Sequence, residues 1–124
     1  MFTIHKTIKT GPPVLPFLKM KEAVLGKRYV LSLVFIGATR SKTLSRRYRK
    51  KNSSANILSF PLSKDEGEIF MDLENVRRDA HRFNREYKNF VGFLFIHGLF
   101  HLKGYAHGST MESEEARIRR KFNI

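Results

Sequence analysis

Cysteine is absent from this sequence of 124 residues. Its absence excludes disulfide bonds and thiolate metal ligands, so imidazole and carboxylate groups are the strong metal ligands that the chain offers. Long apolar runs are missing as well, and none approaches the roughly 20 residues that a membrane-spanning helix needs. The N-terminal stretch MFTIHKTIKTGPP lacks the apolar segment and small-residue cleavage site of a secretory signal. These absences predict a cytoplasmic protein that no segment anchors in a membrane.

Acidic residues are nearly missing from the first half of the chain. Residues 1–64 contain 14 lysines and arginines but one acid, Glu22, whereas residues 65–124 contain 10 residues of each sign. The net charge of +13 therefore comes entirely from the first half. A positive field of this kind attracts polyanions and supplies phosphate contacts, so RNA, DNA or an anionic membrane are candidate partners. A merely solvated surface is the alternative, and the confinement of the charge to one segment favours nucleic acid.

Hydrophobic patterning divides the chain into strands and helices with short connections and no internal repeat. Strands are predicted over residues 2–9, 28–36, 56–62 and 67–72, and helices over residues 14–25, 39–48, 73–87, 88–103 and 110–122. The strand 28–36 is almost continuous in β-forming residues, which predicts a central strand covered on both faces. Pro61 cannot donate to a ladder and predicts an edge position or a strand end. Thr39 and Asp72 are candidate helix N-caps.

The segment HGLFHLKGYAH, residues 97–107, places three histidines at a spacing that suits one metal ion. His97 and His101 lie four residues apart, so in a helix they differ by about 40° around the axis and share a face. Gly104 suits the left-handed position that ends a helix, after which the chain can turn back and bring His107 to the same point. Three imidazoles with an open fourth position form the ligand set of a catalytic zinc site.

Histidines outside this segment, His5 and His81, are interpreted as structural. The trio is different, because the helix around it is otherwise strongly apolar and imidazoles in such a wall need partners. The order H-x-x-x-H-x-x-G-x-x-H matches the ligand spacing of the long zinc-peptidase motif, but Gly98 stands where a peptidase has its glutamate base, which argues against a peptidase. Gly98 costs a helix about 1 kcal/mol relative to alanine, which indicates either space for a substrate or close backbone packing.

Together with two upstream segments, the histidine motif resembles that of a known family. HGLFHLKGYAH, preceded by NILSFPL and GEIFMD, is similar to the H-G-x-x-H-L-x-G-Y-D-H, N-[VI]-L-S-F-P and G-[DE]-I motifs of the YbeY family of metal-dependent endoribonucleases. The resemblance extends over about residues 28–115. It implies a single α+β domain over residues 1–124, in which a small mixed sheet packs against several helices and a zincin-like helix binds the metal.

The resemblance also implies a function and assigns roles to individual residues. It implies a zinc-dependent endoribonuclease that cleaves single-stranded RNA, matures small-subunit ribosomal RNA and acts in ribosome quality control, with the small ribosomal subunit as partner. His97, His101 and His107 become the ligands of one Zn²⁺ ion, and Arg49 joins them as a catalytic residue facing the metal cleft. The surrounding basic segment would hold the RNA backbone through Arg46, Arg47, Arg49, Lys50 and Lys51.

The sequence departs from the family pattern at two points. Ala106 stands where the family usually has Asp, which removes a carboxylate next to the third ligand. Glu112 or Glu114 are candidates to supply that carboxylate instead. The chain is also short at both ends relative to the family. The strand motif itself is retained, with Asn56, Ser59 and Phe60 at its matching positions.

The chemistry of these residues agrees with RNA cleavage. A dication held by neutral imidazoles lowers the pKa of bound water toward about 7 and polarises a phosphodiester oxygen. Arg49 would present a guanidinium fork to a non-bridging phosphate oxygen. The sequence shows no dedicated general base and leaves open whether hydroxide or the RNA 2′-hydroxyl attacks. Two other hypotheses are a non-catalytic basic RNA- or ribosome-binding protein with a structural or vestigial metal, and a hydrolase of a small phosphate or amide, which leaves the basic half unexplained.

Overall fold

The structure, a computed structural model, describes residues 1–49 and 55–124. Strands and helices alternate over the first four elements, two consecutive strands follow, and the last three elements are helices. Their bounds are β1 (Phe2–Lys6), α1 (Phe17–Leu25), β2 (Val30–Ile36), α2 (Ala38–Tyr48), β3 (Ile57–Ser63), β4 (Glu66–Asp72), α3 (Leu73–Arg82), α4 (Tyr87–Lys103) and α5 (Ser109–Lys121). No helix among the described residues is long and apolar enough to cross a bilayer.

The four strands form one mixed sheet in the order β1-β2-β4-β3. β1 and β4 both run parallel to β2, whereas β3 is antiparallel to β4 and pairs with it alone in the described sheet. Pro61 therefore lies in an edge strand, as predicted, and the register of the pair shifts between Pro61 and Ser63. Two β-strands joined by parallel pairing need a crossover, and α1 and α2 supply these connections.

The main core lies between the sheet and α4, which is the longest helix. Ten of its 17 residues are buried, because α4 itself carries apolar side chains on nearly all of its sides. Phe95 of α4 packs edge-on against Phe17 of α1, with ring centroids 5.1 Å apart. A smaller cluster on the opposite face of the sheet contains Ile36, Leu58 and Phe70. The α+β class with a small mixed sheet is thus confirmed.

Several element ends differ from the sequence predictions. β1 ends at Lys6 rather than residue 9, and its partner β2 ends at Ile36, one residue beyond Phe35, which pairs with Lys6. α1 begins at Phe17 rather than Val14, since the proline at 16 disfavours helical backbone in the residue before it. Gly37, not Thr39, is the N-cap of α2.

The prediction of one helix from Leu73 to Tyr87 was too long. α3 ends at Arg82, Phe83 is 63% exposed, and Asn84 adopts a left-handed φ of 54°, which separates α3 from α4. The central strand β2 is fully buried at Leu31, Leu33 and Phe35, whereas Ser32 and Val34 on its other face are only half-buried, so the two faces are not covered equally. Asp72 caps α3 as predicted, accepting a hydrogen bond from the backbone N–H of Asn75 at 3.3 Å.

Candidate metal centre

The three histidines of residues 97–107 meet at the C-terminal end of α4. His97 and His101 project from the same helical face, and their Nε2 atoms lie 3.0 Å apart. Gly104 adopts a φ of 103° and ends the helix, as predicted, and the following turn brings the His107 ring to 4.6 Å from that of His101. One ligand atom from each histidine lies within 4.8 Å of the other two. The i, i+4 spacing and the glycine turn therefore produce the predicted cluster.

The chemistry of the cluster fits a metal ion. Zinc binds imidazole nitrogen at about 2.0–2.1 Å, and two such ligands of a tetrahedral ion lie roughly 3.3 Å apart, close to the separation of the His97 and His101 nitrogens. Burial lowers the pKa of His101, and positive charge on His97 or His107 would lower it further. The lowered pKa favours the neutral form of His101, which is the form in which imidazole binds a metal. His97, His101 and His107 could hold one ion between them.

Glu115 of α5 orients the ring of His97. Its Oε1 atom lies 2.5 Å from Nδ1 of His97, and a carboxylate there accepts a hydrogen bond from the Nδ1–H group. This tautomer leaves Nε2 of His97 with its lone pair directed at the cluster, as in the carboxylate–histidine arrangement of many metal sites. Glu115 is 5% exposed, and its other oxygen lies 4.0 Å from Arg119.

Glu115 was not among the acidic residues that the sequence suggested, which were Glu112 and Glu114. Glu112 is exposed, and Glu114 pairs with Arg117 at 2.8 Å. Ala106, where the family usually has Asp, is exposed in the turn between α4 and α5. The missed signal is the helical spacing of the buried residues of α5, which are Met111, Glu115 and Ile118. A carboxylate on the apolar face of a helix needs a buried partner, and His97 is that partner.

Gly98 allows α4 to pack closely on the sheet. A Cβ atom at this position would lie 2.9 Å from Oγ of Ser59, 3.0 Å from Cδ1 of Ile57 and 3.2 Å from Cδ1 of Ile69. All three distances are shorter than ordinary van der Waals contact between such atoms. Of the two explanations for this glycine, the structure supports close packing of the helix against β3 and β4.

A cleft of about 790 Å³ opens beside His97 and His101. Its lining includes Arg49 as well as the three matching residues of the strand motif, Asn56, Ser59 and Phe60. The cleft thus brings Arg49 and two of the histidines to one cavity, whose volume lies within the roughly 300–1,000 Å³ of typical ligand pockets.

Polar contacts hold two of these lining residues in place. Nη1 of Arg49 donates to Oγ of Ser45 at 3.1 Å, while the Arg49 side chain stays exposed. Nδ2 of Asn56 donates to Oδ2 of Asp79 at 2.9 Å. Asp79 also lines the cleft and lies 3.6 Å from Arg82. Through this hydrogen bond Asn56, which matches the strand motif, links the start of β3 to α3.

The predicted RNA-binding segment is only partly described. Arg46 and Arg47 are exposed in the last turn of α2, directly before Arg49. Lys50 and Lys51 lie outside the described residues. The described arginines of this segment place positive charge at the end of α2, next to the cleft that Arg49 lines.

The fold and site define a small α+β domain in which three clustered histidines, which could hold a metal ion, lie beside an open cleft. A protein of Thermotoga maritima, determined in solution, has the same fold, with a TM-score of 0.66 and 19% sequence identity over 99% of this chain and 92% of its own. The sequence profile of Endoribonuclease YbeY matches residues 5–123. The chain belongs to the YbeY family.

Two curated relatives illustrate the similarity. The Endoribonuclease YbeY of Alkaliphilus metalliredigens is 32% identical over 102 residues, which cover 73% of this chain and 66% of that protein. The Endoribonuclease YbeY of Carboxydothermus hydrogenoformans is 33% identical over 101 residues, which cover 77% of this chain and 68% of that protein. The chain spans about two thirds of the length of these relatives.

Proposed function

We propose that residues 1–124 form one zinc-dependent endoribonuclease domain that cleaves single-stranded RNA. The observation that carries this proposal is the convergence of three imidazoles, two of which line an open cleft together with an exposed arginine. Membership of the family supports RNA as the substrate, and the basic first half of the chain supplies the charge to attract it. We further propose the ribosomal RNA of the small subunit as the substrate, in its maturation and in ribosome quality control, within the cytoplasm.

Each residue of the site has a role in this proposal. His97, His101 and His107 would hold the ion, and Glu115 would keep the His97 ring in its binding tautomer. A bound zinc ion supplies positive charge and Lewis acidity toward a phosphodiester. Arg49 would donate to a non-bridging phosphate oxygen and so stabilise the negative charge that grows during cleavage.

Arginines and lysines around Arg49 would hold the RNA backbone without selecting its sequence. The proposal assigns this role to Arg46, Arg47, Arg49, Lys50 and Lys51. Because these contacts are made to phosphates, binding should weaken steeply as salt concentration rises.

The identity of the nucleophile can be read from the products. Among the described residues that line the cleft, Asp79 is the one carboxylate, and it already accepts a hydrogen bond from Asn56. Attack by the RNA 2′-hydroxyl on the neighbouring phosphorus expels the 5′-oxygen and leaves a 2′,3′-cyclic phosphate. Attack by water leaves a linear phosphate on one product. Mass spectrometry of the cleaved ends therefore decides between the two routes.

Metal content and cleavage test the proposal together. We expect about one zinc per chain by elemental analysis, and cleavage of single-stranded RNA that stops with a chelator and returns with zinc. The His101→Ala variant should lose stoichiometric zinc and cleavage, while His81→Ala, with an exposed histidine on α3, should retain both. If His101→Ala keeps its zinc, the metal centre is not where we place it.

The role of Arg49 requires binding and cleavage to be measured separately. If Arg49 contacts the reacting phosphate, Arg49→Ala should slow cleavage far more than it weakens RNA binding. Arg46→Ala serves as the matched control in the same helical turn, and we expect it to lower both quantities through binding alone. Equal losses in the Arg49 variant would make this residue an ordinary member of the basic segment.

A non-catalytic RNA-binding protein with a structural metal is the competing hypothesis. The absence of an Asp at position 106 favours it, whereas the hydrogen bond from His97 to Glu115 weakens it, because the carboxylate support is supplied from α5. Tight RNA binding by zinc-loaded protein without any cleavage of ribosomal or synthetic single strands would establish this alternative.

A further inference from the structure

Two aromatic rings lie together at the mouth of the cleft. Tyr48 is the last residue of α2 and Phe60 lies in β3, with ring centroids 4.9 Å apart and an angle of 56° between the rings. Phe60 is supported from behind by Phe70, whose ring centroid lies 5.8 Å away. Tyr48 is 56% exposed, although most of its ring is apolar. Both rings line the cleft that His97 and His101 also line.

Positive charge accompanies the exposed ring. The guanidinium carbon of Arg47 lies 5.5 Å from the ring centroid of Tyr48, and Arg49 lines the same cleft. A ring with arginines beside it offers a flat surface for an aromatic ligand and cations for the phosphates attached to that ligand. Proteins that bind single-stranded nucleic acids use this combination, because every base has a face on which to stack.

The cleft also extends around an open edge of the sheet. Ile57 and Ser59 of β3 point toward α4, where they lie next to Gly98, while Phe60 and its neighbour Leu58 point to the opposite face. Residues of both faces line the cleft. A flexible single strand can bend around such an edge, whereas the bases of a duplex are already stacked on one another.

We propose that Tyr48, supported by Phe60, stacks on an unpaired base of the RNA strand in the cleft. This inference rests on the proposed function, because it takes single-stranded RNA as the occupant. It goes further by assigning a base contact, which would select unpaired RNA, to a residue that is neither one of the three histidines nor one of the lysines and arginines assigned to the RNA backbone. The contact does not depend on base identity, since stacking tolerates all four bases.

A tryptophan placed at this position reports on stacking directly. The chain contains no tryptophan, so the Tyr48→Trp variant carries a single indole in the cleft. Its fluorescence is measured during titration with oligouridylate in the presence of a chelator, so that no cleavage occurs. We expect strong quenching at saturation. Val14→Trp is the control, because Val14 is 87% exposed and lies outside the residues that line the cleft, and it should show little change.

Affinity for an abasic strand provides an independent test. The Tyr48→Leu variant removes the aromatic face, and Tyr48→Phe retains it. We expect Tyr48→Leu to bind oligouridylate roughly 5- to 150-fold more weakly than the unsubstituted protein, the range that the loss of one stacked base produces. Tyr48→Phe should bind nearly normally, and neither substitution should alter affinity for an abasic oligonucleotide. Circular dichroism checks that the variants fold.

The outcomes separate this inference from the proposed function. The stacking contact is wrong if the indole of the Tyr48→Trp variant stays unquenched at saturating RNA. It is also wrong if Tyr48→Leu loses equal affinity for normal and abasic strands. If the indole is quenched in the presence of the chelator but the zinc-loaded protein cleaves no RNA, the stacking contact stands and the proposed nuclease activity is wrong. Failure of the unsubstituted protein to bind any single strand overturns both.

Discussion

Replacement of Gly98 by alanine sets two opposing effects against each other in one helix. Alanine is a better helix former than glycine, and this difference favours the variant by about 0.8–1.0 kcal/mol at an interior position. The added Cβ atom, however, would lie 2.9 Å from Oγ of Ser59 and 3.0 Å from Cδ1 of Ile57. Extra methyl groups forced into a packed core cost typically 1–3 kcal/mol. The packing cost therefore exceeds the helix gain by up to about 2 kcal/mol.

Gly92 is a matched control six residues earlier in the same helix. Its Cβ atom would overlap Cδ1 of Ile124, the far end of a flexible and half-buried side chain, while the next contact, with Cγ1 of Ile124, is 3.3 Å. That side chain can rotate away, so the helix gain should dominate. We expect Gly92→Ala to be as stable as the unsubstituted protein or up to about 1 kcal/mol more stable.

Thermal denaturation of the metal-free proteins measures the difference. A loss of 1 kcal/mol lowers the melting temperature of a domain of this size by roughly 4 °C. Gly98→Ala should melt below the unsubstituted protein and Gly92→Ala at or above it. If Gly98→Ala is as stable as the unsubstituted protein yet cleaves RNA poorly, then this glycine provides room for the substrate, and our assignment to helix packing is wrong.

Three further predictions concern two buried carboxylates. Glu115→Gln should weaken zinc binding by roughly 10- to 100-fold in competition with a chelator, because an amide supports the His97 ring less well than a carboxylate; Glu114→Gln, on the same helix, should leave zinc affinity unchanged, and equal losses would contradict the assignment. Burial raises the pKa of Asp72 above its ordinary value of 3.8, so the folded state holds the proton of this carboxyl more tightly than the unfolded state does. The free energy of unfolding therefore falls as pH rises from the ordinary pKa through the raised one. Asp72→Asn keeps a capping oxygen without the charge, so its stability relative to the unsubstituted protein should be higher at pH 7 than at pH 4, as measured by thermal unfolding at each pH. Asp72→Ala loses the cap and should cost about 0.5–2 kcal/mol; a cost near zero would show that the hydrogen bond to Asn75 contributes nothing.

Local sequence determined the features that depend on neighbours along the chain. The four-residue spacing of His97 and His101 places both rings on one face of any helix, and Gly104 ends that helix because glycine adopts left-handed backbone at little cost. Pro61 predicted its edge strand and Asp72 predicted its cap for similar reasons, since each acts through its own backbone or that of residues a few positions away. The clustering of the histidines, and the helix that carries His97 and His101, could therefore be predicted.

Tertiary structure decided the features that depend on residues distant in sequence. Glu115 reaches His97 only because α5 packs against α4. Glu112, Glu114 and Glu115 all lie in α5, and only Glu115 lies on the buried face of that helix. The explanation of Gly98 required the position of β3, which lies about 40 residues earlier in the chain. Sequence patterns record the alternation of apolar and polar residues within one helix or strand. They do not show which helices and strands contact each other, because packing joins surfaces from distant parts of the chain.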